Sequence, residues 1–372
     1  MIPSSILPAI TRFVAQRFGD DGDLKQDSDS IGSLVRWANF AIVASAVVSY
    51  YFYLLSVAAK EGIANGAGIA WLCYVLGLVC NLNATAQFGV LNGIGEVGWD
   101  KVVRTTTSIL GFAMTLGLLL GGLGIIGLGI AFLSQNLLSL GLARKLRAHF
   151  KTDTKLDGNG FAPTHRLFSE SAKLLSLAGI GYLVMNSGTF VIERRFGPEM
   201  VAKYAPLIRV GALLANTALI ITQTVYPYVA QSWSRRDFQR HRRLFIVGLL
   251  VAIAVYTAGA LLMWIVAPVM FPLWLGAGRY LGPSIFGLIL IVYGIFVTSV
   301  ASSNPVLASI GSVFLGSAIL NLVLVCPLLW VFTGRWGIIG APIATVVGMI
   351  GPSTWIVIRS WNLMVNHRRA AT

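Results

Sequence analysis

The sequence predicts an all-α polytopic membrane protein of about ten spanning helices, arranged as two pseudo-symmetric lobes. Three observations carry this expectation. Only 11% of the 372 residues are charged and the mean hydropathy is +0.76, whereas a soluble domain carries about 25% charged residues. The apolar residues fall in runs of about twenty, the length that crosses the ~30 Å hydrocarbon core. Landmarks of the first half of the chain also recur in the second.

The elements follow in chain order. A partial helix at 4–18, too short to cross alone, carries Pro8 and Arg12. Spans are expected at 37–57, 67–90, 103–121, 123–143, 171–192, 204–229, 244–266, 283–303, 309–332 and 337–358. Each is apolar nearly all round, as a helix in lipid must be. Tight turns are expected at Gly121-Gly122 and at Thr333-Gly334-Arg335-Trp336, and Gly117 with Gly121 gives the small-residue spacing that admits close helix approach. The domain reading is an incomplete N-terminal lobe at 1–143, with the partial helix and four spans. A cytoplasmic linker follows at 144–170, then a C-terminal lobe at 171–372 with six spans and a short cytoplasmic tail.

Charge sets the orientation. The loops at 1–36, 91–104, 144–173, 230–243 and from 359 onward hold 21 of the 28 Lys and Arg residues. The positive-inside rule puts those loops and the C-terminus on the cytoplasmic side. The net charge of +14 is thereby dispersed between apolar runs, so nucleic acid is not an expected partner. The opposite loops are short and leave no room for an external catalytic domain.

The halves repeat. Leu91-Asn92-Gly93-Ile94-Gly95 parallels Leu307-Ala308-Ser309-Ile310-Gly311, and Gly124-Ile125-Ile126-Gly127 parallels Gly337-Ile338-Ile339-Gly340. Pro8 matches Pro227. Offsets of 216, 213 and 219 residues are nearly constant, which describes a parallel repeat about an axis along the membrane normal, a transporter feature. The second copy has 56 residues from Ser171 to Tyr226 before its proline, against seven before Pro8. By this symmetry the first copy lacks one to two helices, through either a start upstream of Met1 or a shortened product.

No catalytic residue, metal ligand set or cofactor is expected, and the chain does not read as an enzyme. Gly93-Ile94-Gly95-Glu96-Val97-Gly98 matches a dinucleotide-binding pattern, but it joins two membrane helices and reads as a flexible cytoplasmic turn. Asn83-Ala84-Thr85 matches a glycosylation acceptor but falls within a span. The cluster at 20–23 lacks calcium-loop spacing. His149, His165, His241 and His367 fall in loops or the tail, and Cys73, Cys80 and Cys326 read as small buried apolar residues. All fourteen acidic residues lie in loops or at helix ends. A carboxylate buried at mid-membrane, the usual partner of a cationic cargo, is therefore not seen, and an anionic or neutral polar substrate is favoured.

Polar residues inside spans give the candidate substrate-binding set. Arg209, Asn216 and Gln223 recur every seven residues on one face of the 204–229 helix, with Tyr226 alongside. Such a stripe is expensive in lipid and should face a cavity. The alternative is interhelical hydrogen bonding, with Arg209 snorkelling to the outer interface. Asn186 and Glu193 on the preceding helix are placed to pair with it. Arg12 is either a phosphate partner or a plain positive-inside residue. Asn83 with Gln87, and Arg104, are weaker candidates for which packing serves equally.

Pro8-Ala9-Ile10-Thr11-Arg12-Phe13-Val14-Ala15 with Gly19-Asp20, Leu91-Asn92-Gly93-Ile94-Gly95, and Lys203-Tyr204 with Pro227 resemble landmarks of one family. Leu273-Trp274-Leu275-Gly276 and Gly337-Ile338-Ile339-Gly340-Ala341 do so too. That family is the polysaccharide-transporter, or O-antigen flippase, branch of the superfamily that includes the MATE exporters. The resemblance implies a flippase that moves an undecaprenyl-diphosphate-linked oligosaccharide, an O-antigen or exopolysaccharide unit, to the outer leaflet by alternating access. It implies two helical lobes around a cationic cavity lined by the first, second, seventh and eighth helices. On that count 171–192 and 204–229 are the seventh and eighth. The first helix and most of the second are absent, which leaves that lining incomplete. Membrane lipids and other polysaccharide-biosynthesis proteins are the remaining expected partners. A drug or metabolite exporter of the same fold and a non-transporting fragment are the competing readings.

Overall fold

The computed structural model describes residues 7, 8, 10–12, 14, 25–57, 64–150, 165–276, 278–310 and 313–365. The cluster at 20–23, Lys60, Gly311-Ser312 and His367 lie outside them.

Among the described residues ten long helices follow one another: α1 (Lys25–Val57), α2 (Ala64–Gly93), α3 (Val97–Leu120), α4 (Gly124–His149), α5 (His165–Phe196), α6 (Pro198–Ser234), α7 (Phe238–Leu275), α8 (Pro283–Ser309), α9 (Leu315–Trp336) and α10 (Gly340–Val365). Nine stretches among the described residues are long and apolar enough to cross a membrane. The last of these, Leu315–Met364, contains both α9 and α10. Large apolar side chains face outward, Leu273 being 83% and Leu120 89% exposed, so hydrocarbon and not water is the matching solvent.

The helices outrun the expected spans. The 37 residues of α6 extend to about 55 Å at 1.5 Å per residue, beyond a ~30 Å core. Hydropathy marks only the part in lipid, while the helical hydrogen bonding continues through the charged ends. Two boundaries differ for local reasons. Residues 333–336 form the last turn of α9, and the reversal falls on the short 3-10 turn Gly337–Ile339 instead. Residue 309, expected to open the ninth span, closes α8, where the Ser309 hydroxyl donates to the Pro305 carbonyl at 2.8 Å. Between α5 and α6 the chain reverses at Gly197 with φ +81°, a conformation that disfavours any side chain.

The chain divides into two compact units, Met1–Leu175 and Ser176–Thr372. Their internal packing repeats. The helix starts Lys25, Ala64, Val97 and Gly124 recur 213, 219, 218 and 216 residues later at Phe238, Pro283, Leu315 and Gly340. In unit 1, α2 packs on α4, α3 on α4 and α1 on α2; in unit 2, α8 packs on α10, α9 on α10 and α7 on α8. Leu7, Ile10 and Val14 lie against α2, where a Cβ on Gly89 would stand 2.9 Å from the Ile10 side chain. Their counterpart α6 lies against α8, with Gly211 beside the Tyr293 ring.

Lipid supplies no hydrophobic drive between helices, so close packing and polar pairs must hold each unit. The close approach in unit 1 is not at Gly117, which has nothing within 4 Å, but at Gly129, where a Cβ would stand 2.7 Å from the Ala70 carbonyl oxygen. Spacing alone identified a small-residue pair, but only the packing shows which glycine meets a neighbour. Polar pairs do the rest. Asn81 donates to Asn136 at 2.7 Å and Arg147 to Gln87 at 2.8 Å in unit 1; Asn304 donates to Thr222 at 3.0 Å in unit 2. Gln87 is thus a packing residue. Cys73 and Cys80 are half-buried, and Cys326 is exposed, contrary to the expected burial, because α9 turns that face outward.

Candidate functional site

The stripe on α6 is a single outward face. Arg209, Asn216 and Gln223 are all exposed, with Leu213, Thr217 and Ile220 exposed between them and Thr224 just beyond. The opposite face buries Leu207, Gly211, Ala215, Ala218 and Thr222. Tyr226 falls on that buried face and so does not stand alongside the stripe as expected. Three residues separate it from Gln223, and at 100° per residue that carries it round to the packed side.

On the packed side of the same helix, Gly211 of α6 lies beside the Tyr293 ring of α8, and Tyr204 of α6 and Tyr256 of α7 belong to the same core. The three tyrosines are buried, and Tyr256 donates its hydroxyl to the Leu290 carbonyl. Arg209 itself is exposed on the outward face of α6. A guanidinium so placed offers charged donors to phosphate or carboxylate oxygens.

The other candidates are placed differently. Asn186 is half-buried and donates to the Tyr182 carbonyl of its own helix at 2.9 Å, not to the stripe. Glu193 is exposed on the same helix. Arg12 is buried and ion-paired to Glu170 at 3.2 Å, and Lys173 shares that carboxylate at 3.3 Å. Arg12 Nε has no hydrogen-bond partner.

One polar centre in unit 1 was not singled out by the sequence. Asp100, in the first turn of α3, is fully buried. Its carboxylate accepts from Arg104 Nε and, at 3.0 Å, from Asn92 Nδ2. Arg104 also donates to the Thr85 hydroxyl at 3.3 Å and stacks over the Phe88 ring at 5.0 Å. The glycine-rich turn between α2 and α3 is bridged by this clasp, and within it Glu96 N donates to the Leu91 carbonyl at 2.9 Å. The signal was the i,i+4 spacing of Asp100 and Arg104 across the turn from Asn92. His241 was likewise expected in a loop. It is fully buried in α7 and lies between Ser232 and Met364, since α7 begins at Phe238.

No protein-family model matches the chain, and no curated protein matches it in sequence. Solved structures do match in shape. A mutant of the Vibrio cholerae MATE transporter VcmN superposes with a TM-score of 0.82 over 99% of this chain and 86% of that one, at 16% identity. The fold is that of the MATE transporters. The bent form of VcmN gives a TM-score of 0.74 at 18% identity, over 98% of this chain and 86% of that one. An outward-facing multidrug resistance MATE family transporter of the MOP superfamily gives 0.74 at 16% identity, over 98% and 84%.

Proposed function

We propose that this chain is a membrane transporter of the MATE-like superfamily whose cargo is a lipid-linked oligosaccharide, moved from the inner to the outer leaflet by alternating access. The observation that carries the reading is the exposed Arg209, Asn216 and Gln223 face of α6. A charged and amide-bearing stripe on a membrane helix is expensive unless it meets polar cargo. On this reading Arg209 holds the diphosphate while Asn216 and Gln223 hydrogen-bond sugar hydroxyls. Asn186 and Arg12 serve only as secondary contacts, because Tyr182 and Glu170 already engage them. Anionic cargo also fits Asp100, the fully buried carboxylate of α3, being engaged by Arg104 at a helix end and not free to hold a cation. The inner membrane of a bacterium, with the C-terminus in the cytoplasm, is the location this reading assigns.

The test is complementation of surface polysaccharide in a strain deleted for the protein. A charge-assisted hydrogen bond is worth about 1.5–3 kcal/mol, so Arg209→Ala should reduce transport at least about tenfold, with Arg209→Lys intermediate. Wild-type polysaccharide from Arg209→Ala at equal expression would refute the role. A second reading, a drug exporter, is favoured by the likeness to a multidrug resistance transporter. Drug sensitivity with unchanged polysaccharide in the deletion strain would select it.

A further inference from the structure

The turn between α6 and α7 carries the densest charge in unit 2. Arg235, Arg236, Arg240, Arg242 and Arg243 fall within nine residues, and all five are exposed. Asp237 is the one acid among them, and its carboxylate is engaged as the N-cap of α7, accepting from Arg240 N at 3.1 Å. No Asp or Glu follows it from Phe238 to Thr372. Glu193 and Glu199, the other acids of the unit, stand at the opposite end of α6. None of the five arginines forms a salt bridge among the described residues. Unit 2 cannot neutralise this turn from its own side chains.

The backbone disfavours an arginine at the centre of this turn, yet one is there. The helix α6 closes in a Schellman arrangement, with Asp237 N donating to the Ser232 carbonyl at 2.9 Å and Arg236 N to the Trp233 carbonyl at 3.0 Å. The left-handed position of that motif belongs by preference to glycine, which has no Cβ to clash. Here it is Arg236, at φ +56°, and every other left-handed residue among the described residues is a glycine. A side chain retained against a local backbone preference points to a use for that side chain.

Orientation of the chain does not require the cluster. The corresponding segment of the first copy, 16–30, carries Asp20, Asp21, Asp23, Asp27 and Asp29 against Arg17 and Lys25. Residue type points to phosphate. The linker at 144–173 mixes four Lys with three Arg, as charge alone permits. The α6–α7 turn uses only Arg, whose planar fork matches phosphate oxygens in pairs. Depth selects the source of that phosphate. Leu244 opens a run without a charged residue that reaches Pro272, so Arg242 and Arg243 stand where the hydrocarbon begins. Trp233 and Phe238 meet edge to face at 6.0 Å beside them, and a tryptophan at this level marks the headgroup interface. We infer that the α6–α7 turn binds the phosphodiester headgroup of an anionic glycerophospholipid in the leaflet it faces, with Arg236 as a direct contact. This site is separate from the α6 stripe and holds for either class of cargo.

The experiment is native mass spectrometry of the full chain in detergent, titrated separately with dioleoyl phosphatidylglycerol, dioleoyl phosphatidylethanolamine and undecaprenyl phosphate. The wild-type protein should retain phosphatidylglycerol in preference to phosphatidylethanolamine. One arginine beside an anionic lipid is worth about fivefold in binding, so Arg236→Gly should weaken phosphatidylglycerol about fivefold. Its melting midpoint should at the same time equal or exceed the wild type, because glycine relieves the left-handed backbone. A purely structural arginine would lower that midpoint. Adding Arg240→Gln and Arg243→Gln should bring the loss of binding to about a hundredfold. Arg236→Gly keeps the test decisive if the triple variant does not fold. Equal retention of the two phospholipids by the wild type, or unchanged phosphatidylglycerol binding in Arg236→Gly, overturns the inference. Undecaprenyl phosphate binding that falls in these variants while phosphatidylglycerol binding holds would assign the turn to the cargo, and overturns it too.

Discussion

Replacing Arg104 by Met removes the cation from the clasp between α2 and α3 and leaves the Asp100 carboxylate buried with Asn92 as its remaining amide donor. Breaking a fully buried ion pair in this way typically costs 3–5 kcal/mol. The Arg104 side chain is 34% exposed, so solvent screening reduces the loss to about 2 kcal/mol. Stacking over Phe88 adds roughly 0.5–1 kcal/mol. For a unit of this size the sum lowers the melting midpoint by about 5–10 °C, read by tryptophan fluorescence of the purified protein in detergent. Asp100→Asn in the same chain should recover most of that loss, since the neutral amide no longer needs the guanidinium. The coupling in the double-mutant cycle should then be at least about 1 kcal/mol. If Arg104→Met melts with the control Arg335→Met, or if the two substitutions are additive, the clasp contributes nothing and the reasoning fails.

Three further outcomes are expected. Gly129→Val should destabilise unit 1 by about 1–3 kcal/mol or more, because its Cβ meets the Ala70 backbone. Gly117→Val, with nothing within 4 Å, should leave the midpoint unchanged. Arg12→Ala should cost about 1–3 kcal/mol by removing the cation paired to Glu170 at 3.2 Å, and Glu170→Gln combined with it should recover part of the loss; both are read as melting midpoints. For orientation, a cysteine at Arg236 should react with an impermeant maleimide only after cells are opened, and one at Gly197 should react in intact cells. The reverse pattern would invert the topology.

Much of the architecture was legible in the chain itself, and for one reason. A helix in lipid must satisfy its backbone internally and show apolar side chains outward, so hydropathy runs map directly onto α1 to α10. Charge at their ends extends the helices without obscuring them, which is why the spans were read short. The repeat was legible in the paired motifs at Gly124 and Gly337, although the helix starts pair Gly124 with Gly340. A 3-10 turn at Gly337–Ile339 precedes the last helix and sets its start three residues further on. The seven-residue spacing also placed Arg209, Asn216 and Gln223 on one face, which the structure leaves exposed. What the chain could not disclose were relations between helices. Tyr226 turns inward, Asn186 bonds its own helix, Gly129 and not Gly117 meets a neighbour, and Asp100 is buried beneath Arg104. Periodicity fixes the angle of a side chain about its own axis. Which neighbouring helix stands at that angle, and at what depth, is set by packing between segments far apart in sequence, and only the tertiary structure decides it.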